Sequence, residues 1–238
     1  YEIRLSLVGS EMCIRDREAA LSNWDAGMDM YIYGKLGNLI MTKEGINVLM
    51  TNLTGKVPPI LQRLDYIRFN GEAAGYLHDL TLTGLFYTGA GMVKTDVMMS
   101  IDEQSMSRTY SGSVASADLD LGKLLNQEKK FGKVDFNVEL KGFNYKNRYP
   151  ESYIKGIISS FEYSQYQYEN IMLDGVYKDG GFNGRLSMDD ANGSVQIDGN
   201  FNVAKTIPDF NLKASVKNLR PHDLHLSDKY ENLSLIHI

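Results

Sequence analysis

An all-β, antiparallel fold with one or two short helices is predicted by three features of this 238-residue sequence. Apolar and polar residues alternate with period two from about residue 76 onward, the mark of strands with one buried face. The connections between these runs are short and carry Gly, Asn and Asp, the residues that tight hairpins demand. Helical periodicity is confined to two short stretches.

Taken in order, Met30-Tyr31-Ile32-Tyr33 and Leu39-Ile40-Met41 read as strands, with a third from Ile46 to Met50. Pro58-Pro59 followed by Ile60, Leu61 and Leu64 predicts a short amphipathic helix with Pro in its first turn. Strands follow through Leu80-Leu82-Gly84-Phe86 and Val93-Thr95-Val97-Met99-Ile101. Leu119, Leu121, Leu124 and Leu125 predict another helical turn or two, although Gly122 opposes it. From Lys133 to Lys141 every even position is apolar and every odd one polar. The same alternation runs through Ile171-Leu173-Gly175-Tyr177, Phe182-Gly184-Leu186-Met188, Ser194 to Val203 and Asp209 to Lys217. Asp179-Gly180-Gly181 and Asn192-Gly193 supply positive φ angles for two-residue turns. Segments 166–178, 182–190, 193–204 and 209–218 therefore form an antiparallel meander. A crossover helix has no room between them, which excludes a doubly wound parallel sheet.

Composition removes several functions. Lys and Arg total 25 against 30 Asp and Glu, and a net charge of -5 argues against nucleic acid, whose phosphates need a basic stripe. A charged fraction of 23% beside 43% hydrophobic residues suits a folded chain. No apolar run reaches the roughly 18 residues of a membrane-spanning helix. One cysteine excludes a disulfide framework and any multi-thiolate metal site. Gly89-Ala90-Gly91 is followed by a strand pattern, so it reads as a turn rather than a phosphate loop. Asp189, Asp190 and Asn192 lack the closing Glu of a calcium loop. His222-Asp223-x-His225 has no further ligand partner, no nucleophile elbow is present, and the methionines read as apolar filler. No enzyme activity, cofactor or metal is expected.

The apolar strand faces pose the functional question. Each clean strand presents about four apolar side chains on one face, and burying each is worth roughly 1.5–3 kcal/mol. Too few helices are available to cover them. The sheet can close on itself as a sandwich or barrel, face lipid as an outer-membrane barrel, or curl into a trough that holds acyl chains. Composition does not choose among the three.

Certain motifs point to the trough. Phe69-Asn70-Gly71 opens a glycine-punctuated strand, and Tyr110-Ser111-Gly112 leads to Asp120-Leu121-Gly122-Lys123-Leu124-Leu125. A strand begins at Gly132, then Tyr166-x-Tyr168-x-Asn170-Ile171 follows, with Asp189-Asp190-x-Asn192 before the closing hairpin. Over about residues 66–226 this pattern resembles the TamB family, the translocation and assembly module of the Gram-negative envelope within the AsmA-like superfamily. The resemblance implies an elongated sheet curled into an open, taco-like groove, as an internal segment of a long periplasmic protein anchored in the inner membrane. It further implies carriage of phospholipid between membranes, assistance to outer-membrane protein assembly, and a BamA-like barrel protein as partner.

On this reading Val134, Phe136, Val138 and Leu140 line the groove with Leu173, Leu186, Val195, Ile197, Phe201 and Val203, then Phe210, Leu212 and Val216. Tyr163, Tyr166 and Tyr168 sit at its rim, ring inward and hydroxyl in water. The sheet continues into further strands of the full-length chain, and some twelve strands give roughly 55–60 Å of trough. Residues 66–232 form the groove segment and 18–65 a less regular β segment with a short helix. LSLVGSEMCIRDR within residues 1–17 and LSLIHI at 233–238 resemble translated sequencing-adapter DNA, so both ends, Cys13 included, are expected to lie outside the fold.

Overall fold

The computed structural model describes residues 12–22, 29, 31–54, 56–76, 78–102, 104–105, 107–144, 151–202, 209–226 and 233–235. Its strands are β1 (Met12–Ser22), β2 (Tyr31–Thr42), β3 (Tyr66–Tyr76), β4 (Asp79–Thr88), β5 (Gly91–Ile101), β6 (Arg108–Ala117) and β7 (Leu119–Asp120). They continue as β8 (Phe131–Asn144), β9 (Glu151–Tyr163), β10 (Tyr166–Lys178), β11 (Gly181–Asp190), β12 (Gly193–Asn202), β13 (Asp209–Leu219) and β14 (Leu233–Leu235). All join one antiparallel sheet in sequence order, except that the two-residue β7 pairs only β8 off the main path. β1 pairs only β2 and β14 only β13, so the sheet has two free edges. Among the described residues there is neither the second sheet a sandwich needs nor the closure a barrel needs.

Local chemistry sets the clearest boundaries. Asp179 and Gly180 take φ of 51° and 76° between β10 and β11, as a tight hairpin requires. The expected meander is present, with β10 to β13 matching the sequence spans to within two residues at every boundary.

Four expectations are corrected. Residues 46–50, expected as a strand, lie in α1 (Lys43–Thr54). Thr42 Oγ1 accepts from the Gly45 backbone N–H at 3.4 Å, and Glu44 adds negative charge to the first turn. Ile46 and Met50, four residues apart, pack on one face, whereas Val48 is 56% exposed, so the apparent alternation is incidental. The helix expected after Pro58 shrinks to a 3-10 turn at Leu61–Arg63, because Leu64 turns to extended backbone to bury its side chain. Tyr31–Thr42 is a single strand where two were expected. Residues 12–17 and 233–235, expected outside the fold, pair at the two edges of the sheet. An edge offers free N–H and C=O groups to almost any sequence, so pairing there demands little of the side chains.

The expected helical turn near Leu121 is α2 (Leu121–Leu125). Asp120 Oδ1 caps it by accepting from Lys123 N–H at 2.8 Å, and Asn126 closes it in the left-handed region at φ 58°. Gly122, unfavourable for a helix, is required by packing: a Cβ there would stand 2.2 Å from the Phe131 carbonyl oxygen.

Candidate binding groove

Directly paired residues share a face of an antiparallel sheet, so the register shows where each side chain lies. Val138, Gly156, Leu173, Leu186, Ile197 and Ala214 form one row across β8 to β13. The next row on the same face is Leu140, Ile154, Gly175, Gly184, Gly199 and Leu212. A third holds Gly142, Ser152, Tyr177, Phe182, Phe201 and Phe210, with Phe182 and Phe201 rings 5.7 Å apart. Leu82 and Val97 extend the middle row on the other side, through Gly112 of β6. These rows are apolar or small, and among the described residues no helix lies over them.

Curvature replaces a covering layer. Val138, Leu140, Leu173, Leu186, Ile197 and Leu212 are half-buried, while Met98 and Met172 on the opposite face are 51% and 54% exposed. Glycines crowd the centre of these rows. Gly175 and Gly184 pair directly, and a Cβ on Gly184 would lie 2.3 Å from the Asp174 carbonyl oxygen and 2.4 Å from Gly175 Cα. Gly112 and Gly199 both adopt φ of 142° in mid-strand, where a side chain is strained. These glycines fall in one row across the middle of the sheet, where strands approach too closely for a side chain.

The outer face carries a charge ladder. Glu139, Lys155, Asp174, Arg185, Asp198 and Lys213 occupy successive paired positions, alternating in sign. Arg185 Nε lies 2.7 Å from Asp198, and Lys155 Nζ lies 3.7 Å from Asp174. Hydrogen bonds from Gln196 and Arg185 hold the Asp198 carboxyl below the usual range. Discrete depressions of about 470 and 510 Å³ also lie on this outer side, around Met98, Lys141 and Tyr153 and around Ile157 and Met172.

The two long margins of the trough differ. Along one, α1, the 3-10 turn and α2 pack Ile46, Leu64 and Leu124 against Met41, Ile67, Leu119 and Val134. Lys123 Nζ bridges Asp65 at 2.8 Å, and Arg63 donates to the Leu124 carbonyl oxygen. Farther along, residues 220–226 fold over β10 to β13, and Leu224 is completely buried among Tyr168, Met188 and Leu219. Tyr168 donates to the Leu224 carbonyl oxygen at 2.7 Å, and burial pushes its phenol up to about 12.

These contacts reposition several expected lining residues. Val134 is 4% exposed inside the margin cluster rather than on the trough wall, because Leu119 and α2 cover it. Phe136, Val195 and Val216 pack partly against the same margin. Val138, Leu140, Leu173, Leu186, Ile197 and Leu212 line the open trough, and Phe201 and Phe210 its opposite margin. Val203 lies outside the described residues. The tyrosine rim is corrected too: Tyr168 is buried with its hydroxyl bonded to backbone, and Tyr166 donates to Asp190 at 2.5 Å while its ring packs on Tyr168. Tyr163 is half-buried, its ring beside Phe131 and Phe161.

Ile154, Ile158 and Phe161 of β9 join the apolar face without having been singled out from the sequence. A bulge shifts the parity of β8 against β9, so Ile154 and Ile158 lie at even positions but Phe161 at an odd one. Leu80, Leu82 and Val97, which the strand pattern did indicate, belong to the same face. Among the described residues no cluster of His, Cys, Asp and Glu has the geometry of a metal site. No helix among them is long and apolar enough to cross a membrane. No family model, curated protein or solved structure matches the chain.

Proposed function

We propose that this chain is a TamB-like groove segment that carries the acyl chains of phospholipids along its concave face and performs no chemistry of its own. The observation that supports the reading is the inner face itself: rows of apolar side chains cross β8 to β13, half-buried and, among the described residues, without a covering layer. Leaving such a face in water forgoes much of the stabilisation that drives folding, and a mobile apolar ligand restores it. Acyl chains suit a trough because apolar contacts are non-directional, so a chain slides without breaking hydrogen bonds. Thirteen strands along the path correspond to about 58 Å of trough at 4.8 Å per spacing.

By the family resemblance, the full-length protein is an inner-membrane-anchored envelope protein that spans the periplasm. It delivers phospholipid to the outer membrane or assists protein assembly there, with a BamA-like barrel as partner. Native mass spectrometry of the chain, expressed in a Gram-negative periplasm and purified without detergent, tests the core of the proposal. Co-purifying phospholipid is the expected result. A folded protein devoid of lipid, and unable to take it up from phosphatidylethanolamine and phosphatidylglycerol vesicles, refutes it.

A further inference from the structure

The outer face carries an apolar centre as well as its charge ladder. On β9 and β10 two directly paired couples, Ile157 with Met172 and Tyr153 with Val176, flank the Lys155–Asp174 pair on that face. Met172 is 54% exposed, Ile157 39% and Tyr153 38%, while most outer positions around them are polar. An apolar centre open to water inside a polar rim is the make-up of a protein contact surface.

The surrounding charges say which partner fits. Rotation by 180° about an axis along the strands, between β9 and β10, lays this face on that of a second copy with the strand order reversed. Lys155 then meets the partner's Asp174, and Glu139, one strand farther out, meets the partner's Arg185. Ser113 meets Asp198, and beyond them Asp96 on β5 meets Lys213 on β13. Glu151 and Lys178, an ion pair within each chain, face each other across the contact in the same way. Ile157 falls on Met172 and Tyr153 on Val176, and no like charges meet in the ladder row or in the rows that flank it. Alternating charges alone permit neighbouring axes. The axis between β9 and β10 is the one that stacks the apolar couples on each other.

We propose that this face is a self-association surface on which two copies of the chain form an isologous, back-to-back dimer, their inner faces turned away from the contact. The matched area runs from β5 to β13, about 34 Å across the strands, and from Glu151 to Ile157, about 20 Å along them, or about 700 Å² per copy. That is close to the roughly 800 Å² per partner of a standard specific interface. The rotation keeps the strand directions of the two sheets aligned, as face-to-face sheet packing requires. Within each chain Lys155 already lies 3.7 Å from Asp174, and Arg185 lies 2.7 Å from Asp198. Across the contact these charges therefore fix orientation and exclude other registers, and the apolar centre supplies the affinity. The inference is independent of lipid carriage, since it uses none of the inner face.

Sedimentation equilibrium of the whole chain tests it. A reversible monomer–dimer equilibrium with a dissociation constant of about 1–100 μM is expected. Met172→Asp, at a site already open to water, is expected to stay folded and raise that constant at least about tenfold. Glu139→Arg and Arg185→Glu, both at exposed positions, each create two like-charged contacts per dimer, and each is expected to weaken it at least about tenfold. An equimolar mixture of these two variants restores opposite charges at both contacts, so a mixed dimer of near-parent affinity is expected. A variant that was merely destabilised would not recover on mixing. Asp96→Lys mixed with Lys213→Glu repeats the experiment should either of the first pair fail to fold. A folded parent that remains monomeric even at about 1 mM overturns the proposal. So does a dimer indifferent to Met172→Asp, a variant mixture that stays monomeric, or growth beyond the dimer, which would assign association to the sheet edges.

Discussion

Val134 and Val138 stand four residues apart on the same face of one strand, yet placing an aspartate at each is expected to have opposite consequences. Val134 is 4% exposed and lies beneath Leu119 and α2, where a carboxylate has neither water nor a cationic partner. Burying an unpaired charge in such a cluster costs about 3–5 kcal/mol. That is a large share of the 5–15 kcal/mol by which domains are typically stable. Val138 pairs with Val114 and Gly156 and is only half-buried, so a carboxylate reaches water and the cost is about 1 kcal/mol from lost apolar burial. Denaturant unfolding should show Val134→Asp with a sharply lowered midpoint and Val138→Asp near the parent. Native mass spectrometry should then show that folded Val138→Asp has lost its lipid, because acyl chains must pass a desolvated charge. Equal destabilisation by the two variants would mean that the Val138 row is packed by protein and the trough is not open. A folded Val138→Asp with undiminished lipid would place the lipid path elsewhere.

Two further outcomes follow from the margins and the outer face. Burial raises the Tyr168 phenol from 10.0 to about 12, so its contribution is fully present below pH 10 and is lost as pH rises through 12, by up to about 2.7 kcal/mol. Tyr168→Phe should cost about 1 kcal/mol at neutral pH, through the orphaned Leu224 carbonyl, and flatten the alkaline loss; an unchanged decline in stability over that range would exclude Tyr168 as its source. Arg185→Glu sets a third carboxylate between Asp174 and Asp198 and should cost about 1 kcal/mol at low ionic strength, falling by more than half near 1 M salt. A urea midpoint shift that ignores salt would show the ladder to be electrostatically inert.

How far the sequence reveals this architecture depends on whether the determining interaction is local. The meander from β10 to β13 is legible because alternation marks each strand and Asp179-Gly180 and Asn192-Gly193 mark the turns within a few residues. β6 is faint because Arg108–Ala117 pairs small residues, whose alternation carries little hydrophobic contrast. β9 is faint because its bulge changes parity and because Ile157 points outward at 39% exposure. α1 is misread because Ile46, Val48 and Met50 fit both periods, and only the Thr42 cap distinguishes them. The sealed margin is the least legible part. Arg63 meets Leu124 and Tyr168 meets Leu224 across separations of 61 and 56 residues, which no local pattern encodes. For that reason Val134 reads as trough wall and Tyr168 as wet rim, when both are buried in the covered margin.

The two faces of the sheet also solve different problems, and neither solves the other's. The inner face is permissive: Leu, Ile and Val side chains in adjacent rows are nearly interchangeable, so their packing discriminates weakly between one register and another. A slip of one residue would nevertheless invert every strand it touched, turning Asp174 and Arg185 into the trough and Leu173 and Leu186 into water. The outer ladder removes that ambiguity, since Glu139-Lys155-Asp174-Arg185-Asp198-Lys213 alternates in sign only at the observed register. A slip of two residues, which would keep the faces correct, breaks the ladder and separates Gly175 from Gly184, setting side chains where only glycines fit. Register specificity thus resides on the outer, charged side. The inner side is left apolar and uniform, which is the condition the proposed sliding of acyl chains would require.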